Sequence, residues 1–143
     1  MRASPVNFPR RTALAIALLV AVTSSLALAK NVVVQLNGKN EVPPVTINAV
    51  GQGTITINDD KTVSGSITTT GVTGTAAHIH TGAEGKNGPV SVPLAKSGDA
   101  GWSVPANAKL SDEQYRSFQA GELYINVHSA AHPDGEIRAQ LKP

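Results

Sequence analysis

From Lys30 to Pro143 the chain is cut into short β-branched runs by clusters of turn-forming residues, and that rhythm excludes most folds at once. Asn31–Asn37 (NVVVQLN) stops at Asn37-Gly38. Gly53–Asn58 alternates isoleucine with threonine, and after the turn cluster Asn58-Asp59-Asp60-Lys61 the stretch Thr62–Thr70 returns as the second arm of a hairpin. Thr75–His80, Val90–Leu94, Gly101–Val104, Leu123–His128 and Glu136–Leu141 follow as further strands. Between the first two runs, Glu41-Val42-Pro43-Pro44-Val45 interrupts pairing, because neither proline donates a ladder hydrogen bond. Such spacing predicts an all-β domain: an antiparallel, Greek-key-like sandwich or barrel of about seven or eight short strands.

One helix is expected, over about 111–120. Ser111 can cap it and Gln114 completes a capping box. Leu110 and Tyr115 are placed for a hydrophobic staple, and Gly121 ends the run. Tyr115 and Phe118 fall on one face, as core-facing residues do.

The N-terminal stretch has a different character. Arg2, Arg10 and Arg11 precede an unbroken apolar run, Ala13–Val22, and Ala27-Leu28-Ala29 supplies a small-x-small site. Residues 1–29 therefore read as a cleavable secretory signal, with the cut between Ala29 and Lys30, and 30–143 as one exported domain, periplasmic or secreted. A core run of about ten residues is well short of the roughly twenty that span a bilayer, so no membrane span is expected after cleavage. The whole chain has 12 basic and 10 acidic residues. The leader holds three of the basic residues and none of the acidic ones, so the domain is close to neutral and gives no case for nucleic acid. There is no cysteine and Met1 is the only methionine, which removes thiolate and thioether ligands from any metal site.

All four histidines fall in two short motifs, His78-Ile79-His80 and His128-Ser129-Ala130-Ala131-His132. Residues two apart on a strand share a face, so His78 and His80 project together, about 6.5 Å apart along the strand. If the two motifs are neighbours, three or four imidazoles meet. Without sulfur, such a set suits Zn(II) or Cu(II). Tyr124, Asn126 and Glu136 are candidates to orient the ligands, and Glu84 and Asp134 to complete or orient the site. An H-x-H pair is equally at home as an ordinary polar face hydrogen-bonded to its neighbours.

The ordered motifs Glu41-Val42-Pro43-Pro44-Val45, Ala77-His78-Ile79-His80-Thr81-Gly82, Gly88-Pro89-Val90, Tyr124-Ile125-Asn126-Val127-His128-Ser129 and Gly135-Glu136-Ile137-Arg138-Ala139-Gln140-Leu141 resemble the CHRD (chordin-type) domain family. Ala139 stands where that family usually has glycine. The resemblance implies an extracytoplasmic β-domain and no particular reaction.

Two classes of function fit. The first is a non-enzymatic exported binding module whose partner is an extracytoplasmic protein or a divalent metal ion at the histidine cluster. The alternative is a copper metalloenzyme similar to superoxide dismutase, by analogy of an H-x-H strand and a later histidine. No G-x-S-x-G elbow supports a serine hydrolase.

Overall fold

The computed structural model describes residues 28–143. The expected leader, apart from Leu28 and Ala29, lies outside the described residues. Nine strands are formed: β1 Ala29–Asn37, β2 Val50–Asn58, β3 Val63–Thr70, β4 Gly74–Thr81, β5 Val90–Pro93, β6 Ala95–Ser97, β7 Gly101–Ser103, β8 Leu123–Ser129 and β9 Ile137–Leu141. A single 3-10 turn, Gly38–Asn40, follows β1, and helix α1 spans Asp112–Gln119.

All nine strands belong to one antiparallel sheet in the order β5-β4-β8-β9-β1-β2-β3-β7-β6. The two outermost strands, β5 and β6, are separated in the chain by Leu94 alone. The two ends of the sheet are therefore tied to each other, and the sheet curls into a nearly closed barrel. At the seam the Leu94 amide donates to the Ala77 carbonyl at 2.9 Å, and the Lys96 ammonium donates to the Gly74 carbonyl at 2.9 Å. Joining the ends in this way leaves only short edge strands, β5 of four residues and β6 of three, in place of the long edges that open sheets must otherwise protect. Of the sandwich and barrel expected, the barrel is the one formed. The extra strand is β6, whose three residues (Ala95, Lys96, Ser97) are all exposed and carry no alternating apolar signal.

The strands alternate as the sequence suggests. In β1, Val32, Val34 and Leu36 turn inward while their neighbours face out. Ile55 and Ile57 of β2, Ile79 of β4, Ile125 and Val127 of β8, and Ile137 and Leu141 of β9 fill the same interior. Helix α1 begins with the expected capping box, in which the Gln114 amide donates to the Ser111 hydroxyl at 3.1 Å and the Ser111 amide donates to the Gln114 side chain at 2.8 Å. It delivers Phe118 to the core, and Gly121 leaves the helix with φ of 73°.

Strand β8 differs from the rest. It is covered on both faces: six of its seven residues are buried, and His128 is half-buried. Its inner residues, Leu123, Ile125 and Val127, belong to the core, whereas Tyr124 and Asn126 are buried on the outer side, with His128 on the same side. Three loops cover that outer face, around residues 41–45, 82–89 and 130–135. They are held there by bonds such as Asn87 Nδ2 to the Val42 carbonyl at 2.8 Å and Gln140 Nε2 to the Gly82 carbonyl at 2.7 Å.

Because Ile125 is fully buried on the most enclosed strand, Ile125→Ala is expected to cost about 2–5 kcal/mol of unfolding free energy in urea denaturation. Val33→Ala, at an exposed position on β1, should change it by less than about 0.5 kcal/mol.

Candidate metal centre

The register of β4 against β8 and β8 against β9 builds the site. Ala76 pairs with His128, His78 with Asn126, and His80 with Tyr124. Across β8, Asn126 pairs with Arg138 and Tyr124 with Gln140. All the polar members of these rows project from the outer face, beneath the covering loops.

His78, His80 and His128 converge. One potential ligand nitrogen from each lies within 4.8 Å of the other two, and among the described residues this is the group of metal-ligating side chains that meets. His78 Nδ1 and His128 Nε2 are 3.0 Å apart. The two ends of the set are held by backbone carbonyls: His80 Nδ1 lies 2.9 Å from the Gly88 carbonyl and His128 Nδ1 lies 2.8 Å from the Pro133 carbonyl. A carbonyl only accepts, so each Nδ1 carries the proton and each Nε2 presents a lone pair. That is the arrangement by which outer partners fix the tautomer and orientation of ligating imidazoles. The loop supplying the Gly88 carbonyl passes so close to β4 that a side chain at Gly88 would run into the Thr81 carbonyl.

Burial favours the neutral form of His78 and His80. Burial holds the His78 imidazole below its usual range, and the neighbouring His128 and His80 push it the same way. Burial also lowers His80, although its bond to the Gly88 carbonyl opposes the shift. Neutral imidazole is the ligating form.

Around these rings lies a layered support. Tyr124 stacks on His80 with centroids 4.8 Å apart and planes within 2°. The guanidinium of Arg138 covers Tyr124, 3.4 Å from its centroid. Arg138 is buried, and it donates to Asn87 Oδ1, the carbonyls of Ala83 and Lys86, and Gln140 Oε1 at 2.9–3.3 Å. It thereby pins the 82–89 loop over the site.

The other candidates are placed as follows. His132 stands apart from the three converging rings. Its amide donates to the Ser129 hydroxyl at 3.1 Å, and its carbonyl accepts from the Ser129 and Gly135 amides. Glu136 is buried, with its amide bonded to the Val127 carbonyl at 2.8 Å, outside the imidazole group. Glu84 is exposed and engages the Lys142 ammonium at 2.7 Å, and Asp134 is exposed.

Glu41, which belongs to the proline-rich break after β1, is buried in this neighbourhood. Burial raises its carboxyl to about 7, against the lowering effects of the Arg138 charge and of bonds from Asn126 and the Val42 backbone. It packs against Gly135, where a methyl group would meet its two oxygens at 2.6 and 2.7 Å and the Asn126 amide nitrogen at 2.8 Å. Gly135 adopts φ of 135°, a conformation side-chain-bearing residues rarely take. A charged residue set between an apolar strand and two prolines was the one available sign that Glu41 is enclosed.

A family model described as the CHRD domain matches residues 32–141, essentially the whole barrel. No curated protein matches the chain, and no solved structure does.

The Glu41 carboxyl fixes a pH dependence. Its folded value, about 7, lies above its ordinary value of 4.5, so the stability it contributes is complete below about pH 4.5 and is lost as pH rises through 7. Glu41→Gln removes that loss. The variant should gain on the wild type by up to about 3 kcal/mol between mildly acidic and alkaline pH, measured by urea unfolding across that range. His78 and His80 act oppositely in both proteins, since rings held below their ordinary value lose stability as pH falls below about 6.5.

Proposed function

Since the chain belongs to the CHRD domain family, whose members are typically extracellular, we propose that it is an exported binding module that holds a divalent transition metal, Zn(II) or Cu(II), on His78, His80 and His128. The leader-like segment 1–29 supports export. Among the described residues no helix is long and apolar enough to cross a membrane.

The observation that carries the metal reading is the pairing of convergence with orientation. Three imidazoles gather within reach of one point, and carbonyls of two separate loops hold the outer nitrogens of His80 and His128. A polar face made only for solubility has no need of either loop. In a tetrahedral site with bonds of about 2.0–2.1 Å, ligand nitrogens stand roughly 3.3 Å apart, so a modest contraction of the present cluster closes around an ion. Three protein ligands leave a fourth position, and the half-exposed His78 and His128 put it on the solvent side. The donor set is wholly nitrogen, which suits Zn(II) and Cu(II) and disfavours Cu(I).

Calorimetric titration with Zn(II) and with Cu(II), together with thermal unfolding, tests this. The expected result is one ion per chain and a melting temperature that climbs with metal concentration. His80→Ala should weaken binding by more than the roughly 10–100-fold that loss of an outer partner costs, and His132→Ala should leave it within about threefold. Absence of binding, or equal loss from both variants, contradicts the assignment. The copper-loaded protein should dismutate superoxide no faster than free copper ion. A rate well above that background replaces the binding module with the enzyme reading.

A further inference from the structure

Three buried polar atoms lie on or beside the site without a hydrogen-bond partner: His80 Nε2, Asn126 Oδ1 and Glu41 Oε1. All three belong to residues more than nine-tenths buried. Leaving such atoms unpaired forfeits their hydration with nothing in return, so a cluster of them requires a reason.

Their chemistry supplies one. The Gly88 carbonyl fixes the His80 proton on Nδ1, so Nε2 is an acceptor. Asn126 Oδ1 and the carboxylate oxygen are acceptors as well. Asn126 stands between the other two: its amide nitrogen lies by the Glu41 carboxyl against Gly135, and its amide also interacts with the His80 ring. With Nδ2 given to Glu41, an acceptor is left to face an acceptor at the imidazole end. A half-turn of the amide about χ2 reverses this, because its oxygen and nitrogen ends have the same shape. The reversed setting then needs a donor at Glu41, which is a protonated carboxyl.

We propose that Asn126 is a positioning residue for His80 that takes its setting from Glu41. An ionised Glu41 draws Nδ2–H to itself and leaves Nε2 of His80 open to a metal, whereas a protonated Glu41 donates O–H to Oδ1 and the turned amide caps Nε2 with Nδ2–H. The proton passes between Glu41 and solvent and is never transferred to Asn126 or His80; the amide only turns. This coupling rests on the metal reading of the site for its consequence, though not for its geometry.

Glu41 is well placed to exchange that proton. It lines a surface cleft of about 620 Å³ floored by Arg138. Arg138 of β9 is the cation that faces it, and Glu136 follows Gly135 along the segment that packs on its carboxyl. Lys39 also lines the cleft, Glu84 and Lys142 line it as an ion pair, and His80 lies beyond Asn126. A carboxyl raised to about 7 changes state within the ordinary pH range of an extracytoplasmic compartment.

Zn(II) affinity measured by calorimetry from pH 6 to 8.5, on the wild type, Glu41→Gln and Asn126→Leu, tests the coupling. The wild-type affinity should fall by up to about tenfold per pH unit below the Glu41 titration, beyond the shallower slope set by the imidazoles alone. Both variants should retain only that shallower slope. Asn126→Leu keeps the Glu41 charge, so an unchanged wild-type slope in this variant means simple electrostatic attraction and overturns the proposal. Should the wild type bind no Zn(II), the metal reading fails by itself. The metal-free protein still decides the coupling by nuclear magnetic resonance: the Asn126 side-chain amide signals should move with pH in the wild type and stay fixed in Glu41→Gln. Amide signals that do not move in the wild type overturn it, whatever the variants do.

Discussion

The insertion of β8 between β4 and β9, with loops closing over its outer side, is the constraint on which the rest of the structure depends. A barrel strand in a small domain ordinarily has one dry face and one wet face. Here Tyr124 and Asn126 are as buried as Ile125 and Val127, although they point the opposite way. Enclosing polar groups in this way is favourable only if they are satisfied, and the covering loops provide most of the partners. Arg138 bonds to the 82–89 loop through Ala83, Lys86 and Asn87, the Gly88 carbonyl meets His80, and the Pro133 carbonyl meets His128. The loops are thus held by the same side chains that they orient.

That reciprocity gives the candidate centre its rigidity. His80 and Tyr124 stack flat on each other with the Arg138 guanidinium against the Tyr124 face, and each group limits the rotation of the next. Covalent closure at Leu94 fixes β5 beside β4, and so sets where the 82–89 loop returns to the barrel. A site made on loops alone would be loose; here two of the converging imidazoles come from β4 and one from β8, while the loops contribute carbonyls only.

Much of the fold was legible in the sequence because its signals are local. The Ile/Thr alternation of β2, the capping box at Ser111 and the turn at Asn58–Lys61 all act within a few residues of themselves. Strand β6 was missed because Ala95, Lys96 and Ser97 are all exposed and show no apolar alternation, and the side-chain contacts of Lys96, to the Gly74 carbonyl and the Trp102 ring, are visible only in the fold. At the site, convergence of His78, His80 and His128 followed from strand periodicity plus one assumption, that the two motifs are neighbours; the pairing of β4 with β8 supplies it. His132 could not be separated from the set by spacing, since a loop residue has no fixed direction. Glu41 showed only its place between an apolar strand and two prolines, with nothing to tie it to His78, 37 positions on, and the carbonyls of Gly88 and Pro133 belong to no side-chain pattern.

X-ray absorption at the metal edge of the Zn(II)- or Cu(II)-loaded protein bears most directly on the centre. The account predicts a first shell of nitrogen and oxygen at about 2.0–2.1 Å, with the outer-shell scattering of three imidazoles, falling to two in His80→Ala. A shell with fewer than three imidazoles in the wild type, or one unchanged in that variant, would contradict it.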